Sequence, residues 1–399
     1  MRTNHLIIGA GIFGISAAIE LRKRSHSVTV INPGQIPHPL AASTDISKVI
    51  RMEYGTDLEY MEMAIESMAA WREWNLVLGE TVFHETGYAI LSPNKIEDGK
   101  QVYEKTSWDN LQKKGIVAER LNSEKIKERF PAFSSEKYID GIFNKMAGFA
   151  ESGRAVELLA QYAQKTGVDI FENNTAEKII IENNRAVGAE TREGNIFKAE
   201  NIIVCAGNFT PYLIPEIKPF FKITGHPVFH LKPKDPALFA SPDFTVFTAD
   251  IANTGWYGFP LHPKEKVVKV ALHSEGLELH PAHDERVVYE SDEQQLRAFL
   301  RSSIPALADA PVVFTRRCCY TDTLDGHFWI DRHPAVANLV VGSGGSGHGF
   351  KMGPAVGKMI ADVAEGKQHQ WSNRYDWRVL DERTVQREEA RFLERGLED

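Results

Sequence analysis

Apolar positions follow two different periods along this chain, and the changes between them mark its elements. HLII at 5–8 is a short continuous apolar run, the pattern of a strand buried on both faces. ISAAIELRKR at 15–24 reads as a helix with small residues on its packing side, and SVTVIN at 27–32 as a second strand. Strand, turn, helix and strand make a βαβ unit of ordinary size. Residues 173–213 form shorter runs separated by Asn-rich turns, a meander of strands that ends in the buried run IIVCAG. VANLVVGSGG at 336–345 is a strand that enters a glycine-rich loop. Pro354 then stands near the first turn of a helix that ends at Gly366. Residues 216–310 carry more Pro and His with less regular periodicity, and read as part of a substrate domain.

The turns between these elements hold the first chemistry. Gly9, Gly11 and Gly14 stand in the G-x-G-x-x-G pattern within GAGIFG. Gly9 permits the tight turn, Gly11 lets a pyrophosphate approach the backbone, and Gly14 lets helix and strand pack closely. Ile12 and Phe13, within the turn, are further candidates to touch the cofactor, and the helix that follows offers N-terminal amides and a dipole that favour phosphate. The second strand ends in Asn32, where Asp or Glu usually accepts the ribose hydroxyls. An amide oxygen accepts the same bond without charge, and Asn32 is equally suited to a turn before Pro33 and Gly34. IIVCAG ends at a turn on Gly207, as in FAD-binding chains, and Cys205 within it reads as a small core residue. The loop with Gly344, Gly347 and Gly349 would let a planar ligand lie against backbone. His348 and Lys351 would face the same cavity.

Composition narrows the class. Hydrophobic residues make up 43% of the 399 and charged residues 25%, an ordinary globular balance that allows two domains. Net charge is 46 minus 54, or −8, without a basic block, which argues against a nucleic-acid surface. Three cysteines cannot build a disulfide framework, and reduced thiols fit a cytoplasmic protein. No paired ligand spacing suggests a metal. No long uncharged run suggests a membrane span, and the apolar N-terminus lacks a cleavage site.

Two of the three cysteines are neighbours, in RRCCYTDT at 316–323. Together GAGIFG, VCAG, CCYTDTLDGHFWIDRHP at 318–334 and GSGHGFK at 345–351 resemble the monomeric sarcosine oxidase family. This branch of FAD-dependent amine oxidases also holds the N-methyltryptophan, pipecolate and fructosyl amino acid oxidases. The resemblance implies an α/β fold, with a Rossmann-type FAD domain built from separated segments and a mixed-sheet substrate domain. Residues 1–85, 148–215 and 311–399 would bind FAD, while 86–147 and 216–310 would cover the substrate.

The family's motif C-x-Y-T-x-T implies that FAD is attached covalently to Cys318. Arg316 and Arg317 would favour its thiolate. In an extended segment Cys319 would point the other way. Lys269, within VVKVALH at 267–273, matches a lysine that assists oxygen. Tyr257, His273 and Tyr320 match residues of the substrate cavity. Arg51 and Lys351 match a pair that grips the substrate carboxylate. The segment AASTDISKVIRMEYG at 41–55 resembles the stretch behind the flavin and contributes Ser43. Asp45-x-x-Lys48 leans toward the fructosyl enzymes, whereas His273 stands where those tend to have glutamate. The resemblance favours oxidation of an N-alkyl amino acid by oxygen, with a small-molecule amine as partner and a monomer or small homo-oligomer as the working unit. A fructosyl substrate, a dehydrogenase that does not use oxygen, and a flavoprotein without turnover are the alternatives.

Overall fold

The computed structural model describes residues 3–98 and 102–393. The N-terminal strand Thr3–Ile8 pairs in parallel with Val28–Ile31, and the helix Ile12–Lys23 connects them. Asp169–Phe171 extends this parallel sheet beyond Val28–Ile31. On the other side lies Ile196–Val204, which has two roles. Its first half pairs antiparallel with Arg185–Thr191, completing the meander. Its second half runs parallel to Thr3–Ile8 and also to Leu339–Ser343. The inner strands are buried along their whole length, Thr29 and Ser343 included, because both their faces are covered.

Small residues set the distances in this layer. A Cβ on Gly14 would stand 1.9 Å from the carbonyl oxygen of Gly9, so helix and turn meet closer than any side chain allows. Gly9 itself has φ of 103°, a conformation that favours glycine. The helix Gly353–Ala364 lies along Ile12–Lys23, with Gly357 against Ser16. Both helices therefore begin at the same end of the sheet, beside the glycine loops.

A nine-stranded mixed sheet faces this domain. Its long ladder joins Phe221–Leu231 to Val312–Thr323 in antiparallel register, with His226 opposite Cys318 and Thr224 opposite Tyr320. Val268–Leu272 pairs with the other edge of Phe221–Leu231, and Trp256–Gly258 follows it. A three-stranded sheet of Lys48–Ile50, Gly148–Ala150 and Phe83–His84 completes the strands. The C-terminal segment crosses back over the nine-stranded sheet. Arg391 holds Asp322 through two bonds of 2.9 and 2.7 Å, both groups buried. Among the described residues no helix is long and apolar enough to cross a membrane.

Candidate active site

The glycine turns and the end of the parallel sheet enclose a cavity of about 550 Å³. Gly9, Gly11, Ile12, Phe13, Asn32, Ser43, Lys48, Gly207, Tyr320, Gly344, Gly347 and Gly349 all line it. Gly14 stands behind this lining, against Gly9 and Cys205. A Cβ on Gly207 would meet nothing within 4 Å, so the backbone there is open to the cavity. A Cβ on Gly347 would come within 2.5 Å of the Tyr320 ring, so this loop passes close to the second sheet. An elongated dinucleotide fits these features, with backbone amides and two helix N-termini available for its anionic parts.

Two polar side chains hold the turn. The Asn32 amide oxygen accepts from Ala10 N at 3.1 Å, and its nitrogen donates to the Gly34 and Gln35 carbonyls. Asn32 thus braces the glycine turn while also lining the cavity. Ser43 Oγ accepts from Ile12 N at 3.1 Å, at the helix N-terminus.

The second sheet presents one chemical face toward this region. Alternation puts Cys318 and Tyr320 on the same side, and register puts Ala271, Val228 and Tyr257 with them. Cys319 points to the opposite side, its sulfur 4.0 Å from the Arg317 carbonyl. Burial pushes the Cys319 thiol up. The cation at the Cys318 sulfur is Lys48, whose Nζ lies 3.7 Å from Sγ. Arg316 and Arg317 are committed elsewhere. Arg316 donates to the carbonyls of Thr44 and Ala41, and Arg317 to the Val287 carbonyl and the Asp292 carboxylate.

Lys269 is fully buried and comes with its own counter-ion. Its Nζ lies 2.6 Å from Asp45 Oδ2 and 2.6 Å from the Ser47 carbonyl. Burial lowers its pKa to about 8, against the opposing pull of Asp45. Burial works to raise the Asp45 carboxyl, but Lys269 and then His230 hold it well below the usual range.

Arg51 and Lys351 form a separate cationic cluster with Tyr54. The Arg51 guanidinium stands 4.8 Å from the Tyr54 ring centre. Lys351 Nζ donates to Tyr54 Oη at 2.9 Å and to the His348 carbonyl at 3.0 Å. Burial, reinforced by Arg51, lowers Lys351 to about 7. His348 turns its ring from the cofactor cavity toward Tyr54 and the Gly326 carbonyl, each at 3.2 Å. Burial lowers His348 to about 3 and also depresses His273, so both rings are neutral near pH 7. His273 lies 5.9 Å from Tyr320 and 6.5 Å from Tyr257, ring centre to ring centre.

Glu388 completes this cluster. It pairs with Arg51 through Nη2 and lies 3.5 Å from His273 Nε2. Burial favours its neutral form, but Arg51 and then His273 hold the carboxyl well below its ordinary value. Sequence patterns missed Glu388 because it sits in a polar C-terminal stretch without periodicity or motif. Tyr54 lies within a segment singled out for Arg51, but its hydroxyl role depends on Lys351 and His348, almost three hundred positions away.

Comparison with known proteins agrees with this architecture. Residues 4–363 match the family described as DAO, FAD dependent oxidoreductase. L-saccharopine oxidase of Schizosaccharomyces pombe is 30% identical, over 94% of this chain and 93% of that protein. Monomeric sarcosine oxidase of a Bacillus species is 26% identical, over 90% of this chain and 91% of that protein. The solved structure of the deglycating enzyme fructosamine oxidase (amadoriase II) of Aspergillus fumigatus superimposes with a TM-score of 0.81. It is 26% identical and covers 98% of this chain and 94% of that one. With its glycine-lined cavity and this match over most of its length, the chain belongs to the FAD-dependent oxidoreductase family.

Proposed function

We propose that this protein is an FAD-dependent oxidase of secondary amines on amino acids, releasing an imine and hydrogen peroxide. The observation that carries this reading is the buried pair Arg51 and Lys351, with Arg51 linked through Glu388 to His273, which neighbours Tyr257 and Tyr320 of the sheet face. The relatives named above support it, since by their names they act on L-saccharopine, sarcosine and fructosamine. FAD, held by the glycine-lined cavity, supplies a two-electron acceptor that oxygen can regenerate.

The chain's own residues supply binding and electrostatics. Arg51 offers a planar fork and Lys351 a point charge to the substrate carboxylate. Tyr257, Tyr320 and His273 wall the space beside it. Neutral His273 and His348 add no positive charge near the amine, which favours its binding in the unprotonated, oxidisable form. Lys269 stands on the sheet face as a fixed charge for the reduction of oxygen. One of its three N–H groups has no hydrogen-bond partner among the described residues. Cys318, on the same face, is the residue we assign to covalent attachment of FAD. The imine then hydrolyses in water to an aldehyde or keto product. The buried free thiols of Cys205 and Cys319 suit a cytoplasmic enzyme, and we take a monomer or small homo-oligomer as its working unit.

A second reading takes a fructosyl amino acid as substrate. One observation favours it: Glu388 brings a carboxylate beside His273, where a sugar hydroxyl would find an acceptor.

A panel of sarcosine, larger N-methyl amino acids, L-saccharopine and fructosyl-glycine, assayed in air for peroxide, tests the function. Release of peroxide with at least one of them is expected, and turnover without peroxide would make the protein a dehydrogenase. Fastest turnover of fructosyl-glycine would establish the second reading.

Covalent attachment is read by flavin fluorescence on the denatured polypeptide. Cys318→Ala should release the flavin and Cys319→Ala should retain it. The reverse result would move the attachment to the other thiol.

The role of Lys269 predicts a pH dependence. Its charge is present below about 8 and lost above, so reoxidation of the reduced enzyme by oxygen should slow as pH rises through that value. Asp45→Asn removes the charge that holds the lysine pKa up, and should move the decline to lower pH. A flat profile in both proteins would remove Lys269 from this step.

A further inference from the structure

The carboxylate clamp already holds a carboxylate. Glu388 occupies Arg51 Nη2 from a strap of C-terminal chain that is tied down on both sides. Before it, Gln386 N donates to the Leu324 carbonyl at 3.0 Å, and Arg387 donates to the same carbonyl at 2.8 Å. After it, Arg391 holds Asp322 and the Ser274 carbonyl, and Phe392 N donates to the His273 carbonyl at 3.0 Å. The anchors fall on the residues that border His273 and the Tyr320 strand, so the strap forms part of the site's wall.

The pairing is incomplete. Arg51 Nη1 is buried with no hydrogen-bond partner among the described residues, and Glu388 Oε2, also buried, has only His273 Nε2 near it, at 3.5 Å. A carboxylate that met the guanidinium with both oxygens would use two donors where Glu388 uses one. A buried guanidinium left alone is strongly destabilising, so an empty clamp needs some anion. Glu388 provides one without filling the fork.

From this geometry we propose that Glu388 is a resident stand-in for the substrate carboxylate, and that it determines specificity by competition for Arg51. The proposal rests on the reading of Arg51 as the substrate-carboxylate ligand. A ligand with a carboxylate can take Arg51 from Glu388 and leave the guanidinium paired. A ligand without one cannot, because Glu388 would depart from an unpaired buried cation. Glu388 thus makes a carboxylate a condition of full entry and weakens every carboxylate ligand by the same competition.

The test uses the FAD-loaded enzyme and inert probes. Acetate and its neutral analogue acetamide are titrated against the flavin absorbance spectrum of the wild type and of Glu388→Gln. Acetate should bind the variant about tenfold tighter or more, because a charge-assisted competitor has been removed. Acetamide should bind both proteins alike. KM for an oxidised amino acid should fall in the variant, while kcat changes less. A purely structural role for Glu388 would shift acetate and acetamide together, which would overturn the proposal. Unchanged or weaker acetate binding in Glu388→Gln would overturn it too. Glu388→Asp, which keeps the charge but shortens its reach, should change acetate affinity in the same direction and replaces the glutamine variant if that one does not fold. If no amine is oxidised yet acetate discriminates between the proteins, the functional reading fails and the stand-in role survives. Oxidation with equal acetate affinity has the opposite meaning.

Discussion

The antiparallel register between Phe221–Leu231 and Val312–Thr323 decides which chemistry this site contains. Side chains alternate along a strand, so a slip of one residue would send Cys318 and Tyr320 to the far side and bring Cys319 forward. The observed register places His226 beside Cys318 and stacks it on the Tyr320 ring at 3.8 Å. The neighbouring pairing of Ala271 with Val228 extends the same face to Lys269 and Tyr257. Opposite it, the parallel sheet and its two helices hold the glycine turns at distances that only glycine permits. The cavity between the two layers follows from these constraints together.

Burial sets the electrostatics of the site. Arg51, Lys269 and Arg391 all lie where an unpaired charge would be costly, and each has a carboxylate: Glu388, Asp45 and Asp322. The histidines meet the same pressure differently. His226, His273 and His348 are all pushed toward the neutral form, first by burial. The outcome is a site in which Arg51, Lys269 and Arg391 come in matched pairs, Lys48 and Lys351 have no carboxylate partner among the described residues, and these three rings are pushed toward neutrality. The clamp of Arg51 and Lys351 can accept an anionic substrate group by exchange with Glu388 or by protonation of Lys351, which titrates at about 7.

Much of the fold was legible in local pattern. The strand at Thr3–Ile8, the turn at Gly9, the helix at Ile12–Lys23 and the helix beginning at Gly353 each follow from short-range periodicity and glycine placement. The orientation of Cys318 relative to Cys319 also followed from strand alternation. What local pattern could not reveal was pairing across the chain. Asp45 meets Lys269 across 224 positions, Lys48 meets Cys318 across 270, and Arg51 meets Glu388 across 337. Arg317 points away from Cys318 because strand neighbours diverge, and Arg316, which shares the Cys318 face, is taken up by the Thr44 and Ala41 carbonyls. Proximity in sequence was a poor guide to the charge at the sulfur, and Lys48 on a different sheet supplies it.

In the proposed function, one buried site binds a secondary amino acid and passes its electrons to bound FAD. Mixing the oxidised holoenzyme with a secondary amino acid under argon, and following the visible flavin bands, tests this most directly. Rapid bleaching without oxygen, with recovery of the bands when air is admitted, is the predicted result. Flavin bands that stay unchanged with every secondary amino acid tried, in an enzyme that holds its full complement of FAD, would contradict it.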